Sequence, residues 1–463
     1  MWAPSTLPPT GDGAQPRKQL PPRVDSARFQ RVGGRKDRLS ASAAPALKVG
    51  GRINMKEKDF IERIAAIGGR AYLVGGAVRD QLRGITPKDR DYCITGITEE
   101  QFAAAFPNAP KVGVSFPVFI VRINGEQCEV AFARREKKSG VGYRGFTVTF
   151  DPNVSIEDDL YRRDTTINAI AIDLSTNNLI DPFNGAADIA DKKIRAVSKH
   201  FVEDPVRALR AARHAAAFHF DITPDTVEMM TACADELSLE PGERIVGELR
   251  RALETEQPSV FFRALERARL LEVIFPELHQ MIGKIQLPNF HPEGDAFEHA
   301  MKIVDEVSSV NGDITTRFCA LAHDLGKGVT PDEILPHHYR HDRRGVEVLK
   351  NWNARTTLPR NWIKAATLVI EEHMRATVIT HPGKIVDLLM KIHSSTLTIK
   401  NFNDIIRADN RGRLPTYLER ADELITKFLT VDGRAHPPEL KGKAIGEWVR
   451  AERIKIYLSL QEV

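Results

Sequence analysis

Apolar and polar residues alternate in the first folded part of the chain in patterns that predict short strands separated by helices. AYLV, DRDYCIT and EQCEVAFAR have strand-like patterns, whereas AVRDQLRG has helical spacing. SIEDDLYRRDTTINAIAID begins with Ser155 and Asp158 at capping-box spacing, which predicts a helix. Its inward-facing residues are expected to be Leu160, Ile167, Ile170 and Ala171.

Helical spacing continues through VEDPVRALRAARHAAAF and, from about residue 290, through a series of His-rich segments. These are FHPEGDAFEHAMKIV, TTRFCALAHDLGKG, LPHHYRHDRRGVEVL and IEEHM. The chain therefore predicts an α+β fold in which a small mixed sheet precedes an all-α remainder. We expect a head at residues 55–190, a helical neck and body at 191–288, and a C-terminal helical domain at 289–463.

Residues 1–54 lack the apolar periodicity of a folded element and are rich in Pro, Gly, Ser and Arg. This tail contains 10 Lys or Arg and 3 Asp and therefore carries a net charge of +7. Because the whole chain has a formal net charge of +4, the rest of the chain carries about −3. We expect a disordered basic tail without function. A basic arm is one alternative, and translation that begins at Met55 is another.

The 463 residues suggest two to four domains, and 42% hydrophobic content is enough for real cores. The four cysteines show no CxxC spacing, which argues against a zinc ribbon or a disulfide framework. No apolar run approaches the ~18 residues of a membrane span. These features predict a cytoplasmic protein that does not bind a membrane.

The stretch YLVGGAVRDQLRGITPKDRDY contains the first candidate chemistry. Gly75 and Gly76, between a strand and a helix start, let backbone N–H groups approach a phosphate, and Arg79 lies one turn into that helix. Asp89 and Asp91 are expected on one face of the next strand, roughly 6 to 7 Å apart. Such a pair can hold divalent cations, with Glu129 as the third carboxylate, although charges on an edge strand are the alternative.

Two pairs of side chains are candidates for binding a nucleotide. Asp164 and Asn168 are four residues apart on the predicted helix and could bind a ribose 2′-hydroxyl, while Arg163 could meet the nucleotide. Asp204 only accepts hydrogen bonds, and Arg207, one turn later, only donates them. This pair matches the amine and ring nitrogen of cytosine or adenine, and guanine or uracil would leave its groups unpaired.

A capped helix with an arginine face is the structural alternative at Asp204. On the functional interpretation, Arg210 and Arg213 serve phosphates or position Asp204 and Arg207. The motifs LVGGAVRD with Asp89-Arg90-Asp91, RRDTTINA, DPFNG, EDPVRALRAAR and PGERIVGEL occur in order over about 190 residues. Together they resemble the superfamily of class II tRNA nucleotidyltransferases and bacterial poly(A) polymerases.

The resemblance implies a polymerase-β-like nucleotidyltransferase head, and nucleotide choice by the protein rather than by a template. It implies Mg²⁺ on Asp89 and Asp91 and phosphates at Gly76 and Arg79. We expect Glu203, Glu243 and Glu248 to brace helices. It also implies the nucleotide contacts already described. These are ribose selection by Asp164 and Asn168, base reading by Asp204 and Arg207, and further contacts from Arg163, Arg210 and Arg213.

The branch of the superfamily is indicated by VGVSFPVFIV, which resembles CCA-adding enzymes more than the basic GRRF-like segment of the poly(A) polymerases. The C-terminal histidines and aspartates resemble the HD phosphohydrolase domain, and this order of domains is similar to the multifunctional CCA-adding enzymes. The resemblance implies metal ligands at His299, His323, Asp324 and Asp409. His341 and His373 match histidines of the pattern whose roles it leaves open.

The implied activities are addition of CCA to tRNA from CTP and ATP, and hydrolysis by phosphatase, 2′-nucleotidase and 2′,3′-cyclic phosphodiesterase reactions. The implied metals are Mg²⁺ in the head and Ni²⁺, Mg²⁺ or Mn²⁺ in the HD site. We expect tRNA recognition by Lys and Arg clusters in residues 244–287, no DNA partner, and a monomer or weak homodimer. A poly(A) polymerase, a mainly hydrolytic protein and an RNA-binding protein without catalysis are the alternatives.

Overall fold

The structure, a computed structural model, describes residues 54–112, 117–140, 145–289 and 291–461. The prediction for the tail at residues 1–54 falls almost wholly outside these ranges. Part of the segment VGVSFPVFIV also lies outside them. The strands of the described chain are β1 (Arg70–Val74), β2 (Asp91–Thr95), β3 (Lys111–Val112), β4 (Val118–Ile123), β5 (Glu126–Phe132), β6 (Arg134–Lys138), β7 (Phe146–Phe150), β8 (Ala171–Asp173), β9 (Leu179–Ile180), β10 (Lys193–Ile194) and β11 (Asp221–Ile222).

Seven of these strands form one mixed sheet in the order β3-β4-β5-β2-β1-β8-β9. β2 and β5 are parallel neighbours, and β1 is antiparallel to both β2 and β8. β6 and β7 form a separate antiparallel hairpin. The helices of the head are α1 (Glu57–Ala66), α2 (Gly76–Leu82), α3 (Glu99–Ala105), α4 (Ile156–Tyr161) and α5 (Gly185–Ala190).

The predicted helix over SIEDDLYRRDTTINAIAID is wrong in extent. The capping box of Ser155 and Asp158 starts α4 as expected, but α4 ends at Tyr161 and a 3₁₀ turn, Thr166–Asn168, follows. Ile172 then pairs with Leu73 in the sheet. The four apolar residues predicted to face inward are buried as expected. Hydrogen bonding to β1 therefore decides the conformation, because burial satisfies these side chains in a strand as well as in a helix.

The chain after residue 190 is helical, as predicted, except for the two-residue strands β10 and β11, which pair in parallel with each other. The remaining 3₁₀ turns are Lys199–Glu203, Leu325–Lys327, Asp332–Ile334 and Gly433–Ala435. The helices after the head are α6 (Val206–Phe218), α7 (Pro224–Thr231), α8 (Ala234–Leu237), α9 (Gly242–Leu253), α10 (Ser259–Arg267), α11 (Leu271–Ile274), α12 (Pro276–His279), α13 (Ala296–Val310), α14 (Ile314–Ala322), α15 (His341–Thr356), α16 (Arg360–Val378), α17 (Pro382–His393), α18 (Ile399–Asp409), α19 (Thr416–Glu419), α20 (Ala421–Phe428) and α21 (Lys443–Ser459).

One hydrophobic core runs from the head to the last helix, from Phe60 to Tyr457, and a smaller one lies on the other face of the sheet. Arg317 of α14 fastens the C-terminal helices to the body. Its buried guanidinium donates to Leu253 O at 2.7 Å and Thr255 O at 2.8 Å, just past α9. It also donates to Asn311 O at 2.7 Å and Ser308 O at 3.0 Å.

Two further observations bear on the expectations from composition. Cys93, Cys128, Cys233 and Cys319 are all buried and unbridged. Within the described part of the chain, every helix is too short or too polar to cross a bilayer.

Candidate active sites

Three carboxylates gather where β2 and β5 lie side by side. Asp91 is the first residue of β2, and the parallel register places it opposite Glu129 at the middle of β5. Burial raises the pKa of Asp91, the charges of Glu129 and Asp89 raise it further, and Arg163 opposes them. The three acids therefore repel one another, and a cation among them would relieve that repulsion.

The expectation that Asp89 and Asp91 share a strand is only half right. Asp89 lies in an exposed bend, and β2 begins at Asp91, where pairing with Val74 starts. Arg90 turns away from the acids, because its Nη2 donates to Glu57 at 2.6 Å and its Nε to Tyr92 Oη at 3.1 Å. Asp89 is thus held by a loop rather than by the sheet.

The glycine turn after β1 leaves room for the side chain of Arg163. Gly75 has a φ of 66°, and a Cβ there would lie 2.9 Å from Nη1 of Arg163. That Nη1 donates to Asn168 O at 3.2 Å, so the guanidinium lies against the backbone of the turn. Gly75 is required both by its left-handed conformation and by this close approach.

Arg79 is held by neighbours on three sides. Its Nε and Nη2 donate to Asp80 at 2.9 and 3.1 Å, and its Nη1 donates to Asn168 Oδ1 at 2.7 Å. The guanidinium also lies over the Phe218 ring, 4.4 Å from its centroid. A phosphate would have to replace one of these contacts.

A cavity of about 770 Å³ separates the head from α6 and α9. Eight of the predicted catalytic and nucleotide-binding residues line it, from both sides. Gly75, Gly76, Arg79, Asp89 and Arg213 do not. The eight are Asp91, Glu129, Arg163, Asp164, Asn168, Asp204, Arg207 and Arg210.

Asp164 is a buried carboxylate with both oxygens occupied. Oδ1 accepts from Thr165 N at 2.7 Å and from Asn168 Nδ2 at 3.1 Å, and Oδ2 accepts from Arg210 Nε at 2.7 Å. Burial opposes ionisation, but the charges of Arg210 and His214 hold the pKa of Asp164 well below its ordinary value. The predicted pair of Asp164 and Asn168 is brought together, although by a turn rather than by a helix.

Asp204 and Arg207 both line the cavity, and both form hydrogen bonds with other residues of the protein. Arg244 of α9 donates to the two oxygens of Asp204, and it also donates to buried Glu240 at 2.7 Å. Nη1 of Arg207 donates to His200 O at 2.5 Å. The contact between Arg244 and Asp204 was not predicted from the sequence, because nothing local connects two residues that are 40 positions apart.

Glu136 of β6 is another lining residue that the sequence did not single out. Its Oε1 accepts from Arg134 Nε at 2.8 Å and Arg162 Nη1 at 3.1 Å, and its Oε2 lies 3.8 Å from Arg207 Nη2. It therefore connects the β6–β7 hairpin to the cavity wall.

Arg213 donates to Glu248 of α9 at 2.6 Å, and Glu248 also accepts from Arg251 at 2.7 Å. This agrees with a bracing role for Glu248. Arg213 itself therefore joins α6 to α9 rather than projecting into the cavity.

A second cluster surrounds Asp324, at the end of α14. Its Oδ2 lies 3.1 Å from His323 Nε2 and 3.6 Å from His299 Nε2, and Asp409 Oδ1 lies 3.1 Å from the same nitrogen of His299. Its Oδ1 lies on the other side, 3.3 Å from His341 Nε2 and 3.4 Å from His373 Nε2. This buried Oδ1 has no hydrogen-bond donor of good geometry within the described chain.

All four histidines of this cluster direct Nε2 at the centre. Each Nδ1 faces an oxygen acceptor, which favours a proton on Nδ1 and directs Nε2 toward the place where a metal would bind. Two pairs of Nε2 atoms face each other, at 3.3 Å for His299 and His323 and 3.4 Å for His341 and His373. The acceptors are Glu293 for His299, Ala320 O for His323, His338 O for His341, and Val369 O and Ile370 O for His373.

Two charged neighbours of this cluster were not predicted. Glu293 binds His299 from the loop before α13, and buried Lys327 has its Nζ 2.6 Å from Asp324 Oδ2 and donates to Gln286 Oε1 at 2.6 Å. Burial alone would lower the pKa of His299, but hydrogen bonds to Asp409 and Glu293 raise this pKa to about 9. The centre thus favours positive charge at this position, as a proton or as a metal ion.

Comparison with known proteins identifies the chain. A multifunctional CCA protein of Stenotrophomonas maltophilia (strain R551-3) is 41% identical over 408 residues, which is 83% of this chain and 98% of the relative. A multifunctional CCA protein of Nitrosococcus oceani is 39% identical and covers 83% of this chain and 97% of its own length. The chain belongs to the multifunctional CCA protein family.

Family domains occur along the chain in the order expected of a multifunctional CCA protein. Residues 71–195 match the Poly A polymerase head domain, 219–282 match the probable RNA and SrmB-binding site of polymerase A, and 296–395 match the HD domain. The predicted resemblance and fold class are confirmed, as is the prediction of an enzyme. The relatives favour the CCA branch over poly(A) polymerase.

Solved structures of CCA-adding enzymes share the fold of this family member. That of Bacillus stearothermophilus in complex with CTP has a TM-score of 0.59 at 24% identity, covering 87% of this chain and 91% of its own. That of Thermotoga maritima complexed with tRNA has a TM-score of 0.56 at 21% identity, covering 86% of this chain and 90% of its own. At this identity the similarity concerns the fold alone.

Proposed function

We propose that this multifunctional CCA protein adds and repairs the 3′-terminal CCA of tRNA from CTP and ATP, without a template strand, and hydrolyses phosphoesters in its HD domain. The observation that carries the first activity is the cavity that the head and the body share. Asp91 and Glu129 line it together with Asp204 and Arg207. The groups suited to nucleotidyl transfer and to base selection therefore meet one bound nucleotide.

Asp89, Asp91 and Glu129 would hold Mg²⁺. The fit rests on the mutual repulsion of these carboxylates and on oxygen ligands, which Mg²⁺ prefers. When bound, the metal lowers the pKa of the attacking 3′-hydroxyl and stabilises the departing pyrophosphate. The carboxylates orient the RNA terminus toward the α-phosphorus from the strand side of the cavity.

Phosphate binding falls to the turn after β1 and to Arg163. The backbone N–H of Gly76 lies at the start of α2, whereas that of Gly75 donates to Ile170 O at 3.3 Å, and Arg163 lines the cavity close to Gly75. Arg79 contributes indirectly by orienting Asn168 through its 2.7 Å hydrogen bond. A direct phosphate contact from Arg79 requires release of Asp80 or Asn168.

Base selection falls to Asp204 and Arg207, with Arg210 and the pair of Asp164 and Asn168 next to them. Burial lowers the pKa of Arg207, so it is poorly solvated and gains from a ligand acceptor. Asp204 must exchange or share its contact with Arg244 to accept from a base amine. Asn168 faces the ribose, and Asp164 holds Asn168 and Arg210 in place.

The HD centre would hold two metal ions. His299, His323, Asp409 and Oδ2 of Asp324 form one ligand group, and His341, His373 and Oδ1 of Asp324 form the other. The fit rests on the four Nε2 atoms directed at the centre and on Oδ1 of Asp324, which has no hydrogen-bond partner among the described residues. Mixed imidazole and carboxylate ligands suit Ni²⁺ or Mn²⁺ better than Mg²⁺. When bound, such ions activate water for phosphoester hydrolysis.

Recognition of tRNA would use shape and backbone contacts, because one enzyme serves all acceptor stems. Exposed arginines of the body, such as Arg250, Arg251 and Arg269, are candidates within residues 244–287. Four buried, unbridged cysteines fit a reducing compartment, and we assign the protein to the cytoplasm.

The test is addition of labelled CTP and ATP, supplied separately and together, to tRNA that lacks its terminal CCA. Asp91→Asn is expected to lose several orders of magnitude in kcat while its thermal unfolding stays close to wild type. Asp59→Asn, which changes an exposed aspartate of α1, serves as the control. Near-normal CCA addition by folded Asp91→Asn would refute the assignment.

A further inference from the structure

Two aromatic rings lie in the segment that leads into the HD centre. His337 and Tyr339 are stacked, with ring centroids 5.5 Å apart and an angle of 16° between the planes. Tyr339 is 66% exposed, although it precedes the ligand His341 by only two residues. Because consecutive Cα atoms are about 3.8 Å apart, the backbone of Tyr339 is within about 8 Å of that of His341.

The segment is fixed in place by polar contacts on both sides of Tyr339. His338 bonds to Thr330 Oγ1 at 2.8 Å and to Ile285 O at 3.0 Å, and Arg344 donates to Tyr339 O at 2.6 Å. The exposure of Tyr339 therefore follows from an anchored backbone, and one face of its ring is available because His337 covers the other.

Four exposed arginines flank the same centre. Arg340 and Arg343 adjoin His341, and Arg411 and Arg413 follow Asp409, so each lies within four residues of a metal ligand. In the described parts of the chain, none of the four has a carboxylate within salt-bridge distance. Arg411 donates instead to Asn289 O at 2.8 Å, which ties it to the loop between α12 and α13. Positive charge thus lies on two elements beside a buried centre.

We propose that these residues form a binding rim for the 3′-terminal nucleotides of RNA, with the terminal phosphoester inside the HD centre. The rim consists of His337, Tyr339, Arg340, Arg343, Arg411 and Arg413. Tyr339 stacks on a nucleobase, and the arginines bind the neighbouring phosphates. The proposal rests on the proposed hydrolase function and names its substrate class.

Polynucleotide ends fit this rim better than small phosphoesters do. A small phosphoester needs only the buried ligands and has no use for an exposed ring and four arginines outside them. Single-stranded nucleic acid is bound by this combination, in which cations follow the backbone and aromatic faces stack on bases. Stacking tolerates any base, which suits an enzyme that acts on RNA ends of different sequence.

The experiment compares two substrates with the full-length, metal-loaded enzyme. One is a short oligoribonucleotide that ends in a 2′,3′-cyclic phosphate, and the other is 4-nitrophenyl phosphate. For Tyr339→Ala we expect KM for the oligoribonucleotide to rise about 5- to 150-fold, with kcat and the hydrolysis of 4-nitrophenyl phosphate unchanged. Tyr339→Phe should restore the wild-type KM, and Leu239→Ala, at a comparably exposed site, should have no effect.

Salt dependence provides an independent readout. Each arginine that contacts a phosphate contributes about 0.7 to the slope of log KM against log salt concentration, so Arg343→Gln should lower that slope by roughly this amount. An unchanged KM and slope in both variants, with wild-type hydrolysis of both substrates, would overturn the rim and leave the hydrolase assignment intact. No hydrolysis of either substrate by the metal-loaded wild type would overturn both.

Discussion

Arg244 donates to both carboxylate oxygens of Asp204, at 3.1 and 3.2 Å, across the space between α9 and the start of α6. The proposed base-reading carboxylate is therefore held from the side by the body before any nucleotide arrives. Its orientation depends on how α9 packs, and this packing in turn depends on buried Glu240, the second partner of Arg244.

Removing this contact should reduce selectivity more than rate. For Arg244→Gln we expect discrimination of CTP and ATP against UTP and GTP to fall about tenfold, equivalent to about 1.4 kcal/mol, because Asp204 becomes free to rotate. The measurement is kcat/KM for each nucleotide with tRNA that lacks CCA. Arg250→Gln on the same helix, where an exposed arginine lies 3.7 Å from Glu254, should leave the ratios among the four values unchanged, because any loss of tRNA affinity lowers all four equally.

A substitution at Gly326 should impair the HD activity and leave CCA addition nearly unchanged. A Cβ at this position would lie 1.9 Å from His341 O and 2.5 Å from Gly345 N, so Gly326→Ala must displace the start of α15. We expect phosphatase activity to fall at least about tenfold, with a stability loss of about 1 to 3 kcal/mol, while CCA addition stays within twofold. Gly312→Ala, which meets no atom within 4 Å, is the control. Equal loss of both activities would contradict this prediction.

Glu293 should tune metal affinity without ligating a metal. It holds Nδ1 of His299, and Glu293→Gln keeps the acceptor but loses the charge, so we expect metal binding to weaken about 10- to 100-fold. Titration of the chelator-treated protein with Mn²⁺ or Ni²⁺ measures this directly. Glu306→Gln is a matched control, because Glu306 lies 3.9 Å from Lys302 and Glu293 lies 3.8 Å from the same amine.

Acid should destabilise the fold through Asp159. Burial would raise the pKa of this carboxyl, but Arg162 and Arg163 lower it to about 2. The unfolded chain binds a proton here at a higher pH than the folded chain does, so the stabilisation is present above about pH 4 and is lost toward pH 2. Between pH 5 and pH 2 the unfolding free energy of the wild type should fall by about 2 kcal/mol more than that of Asp159→Asn. Parallel urea midpoints for the two proteins would contradict this.

Sites built from local spacing were the most predictable. Asp204 and Arg207 are one turn apart on one helix start, and His323 and Asp324 are adjacent at the end of an apolar helix. Their positions follow from elements that the apolar pattern identifies. The gathering of His299, His323, Asp324 and Asp409, by contrast, could be expected only because known domains show the same order of residues.

The partners that complete each site could not be predicted. Arg244, Glu136 and Glu293 act across contacts between separate elements, and their local sequence resembles that of any solvated charge. The error in the helix after Ser155 has a related cause. Ile170 and Ala171 are buried against β1, and an apolar pattern reports burial without reporting which backbone hydrogen bonds accompany it.

Four backbone carbonyls accept hydrogen bonds from the guanidinium of Arg317, and these bonds join the two halves of the enzyme. The halves are therefore poorly suited to study as separate fragments. Leu253 and Thr255 contribute two of these acceptors from the body, and Asn311 and Ser308 contribute the others. A fragment cut before α13 would leave the first two acceptors without their cation and would lay bare the apolar surface beneath. Mutations that remove the metal ligands of the HD centre should therefore be tolerated far more easily than mutations that remove the helices around it.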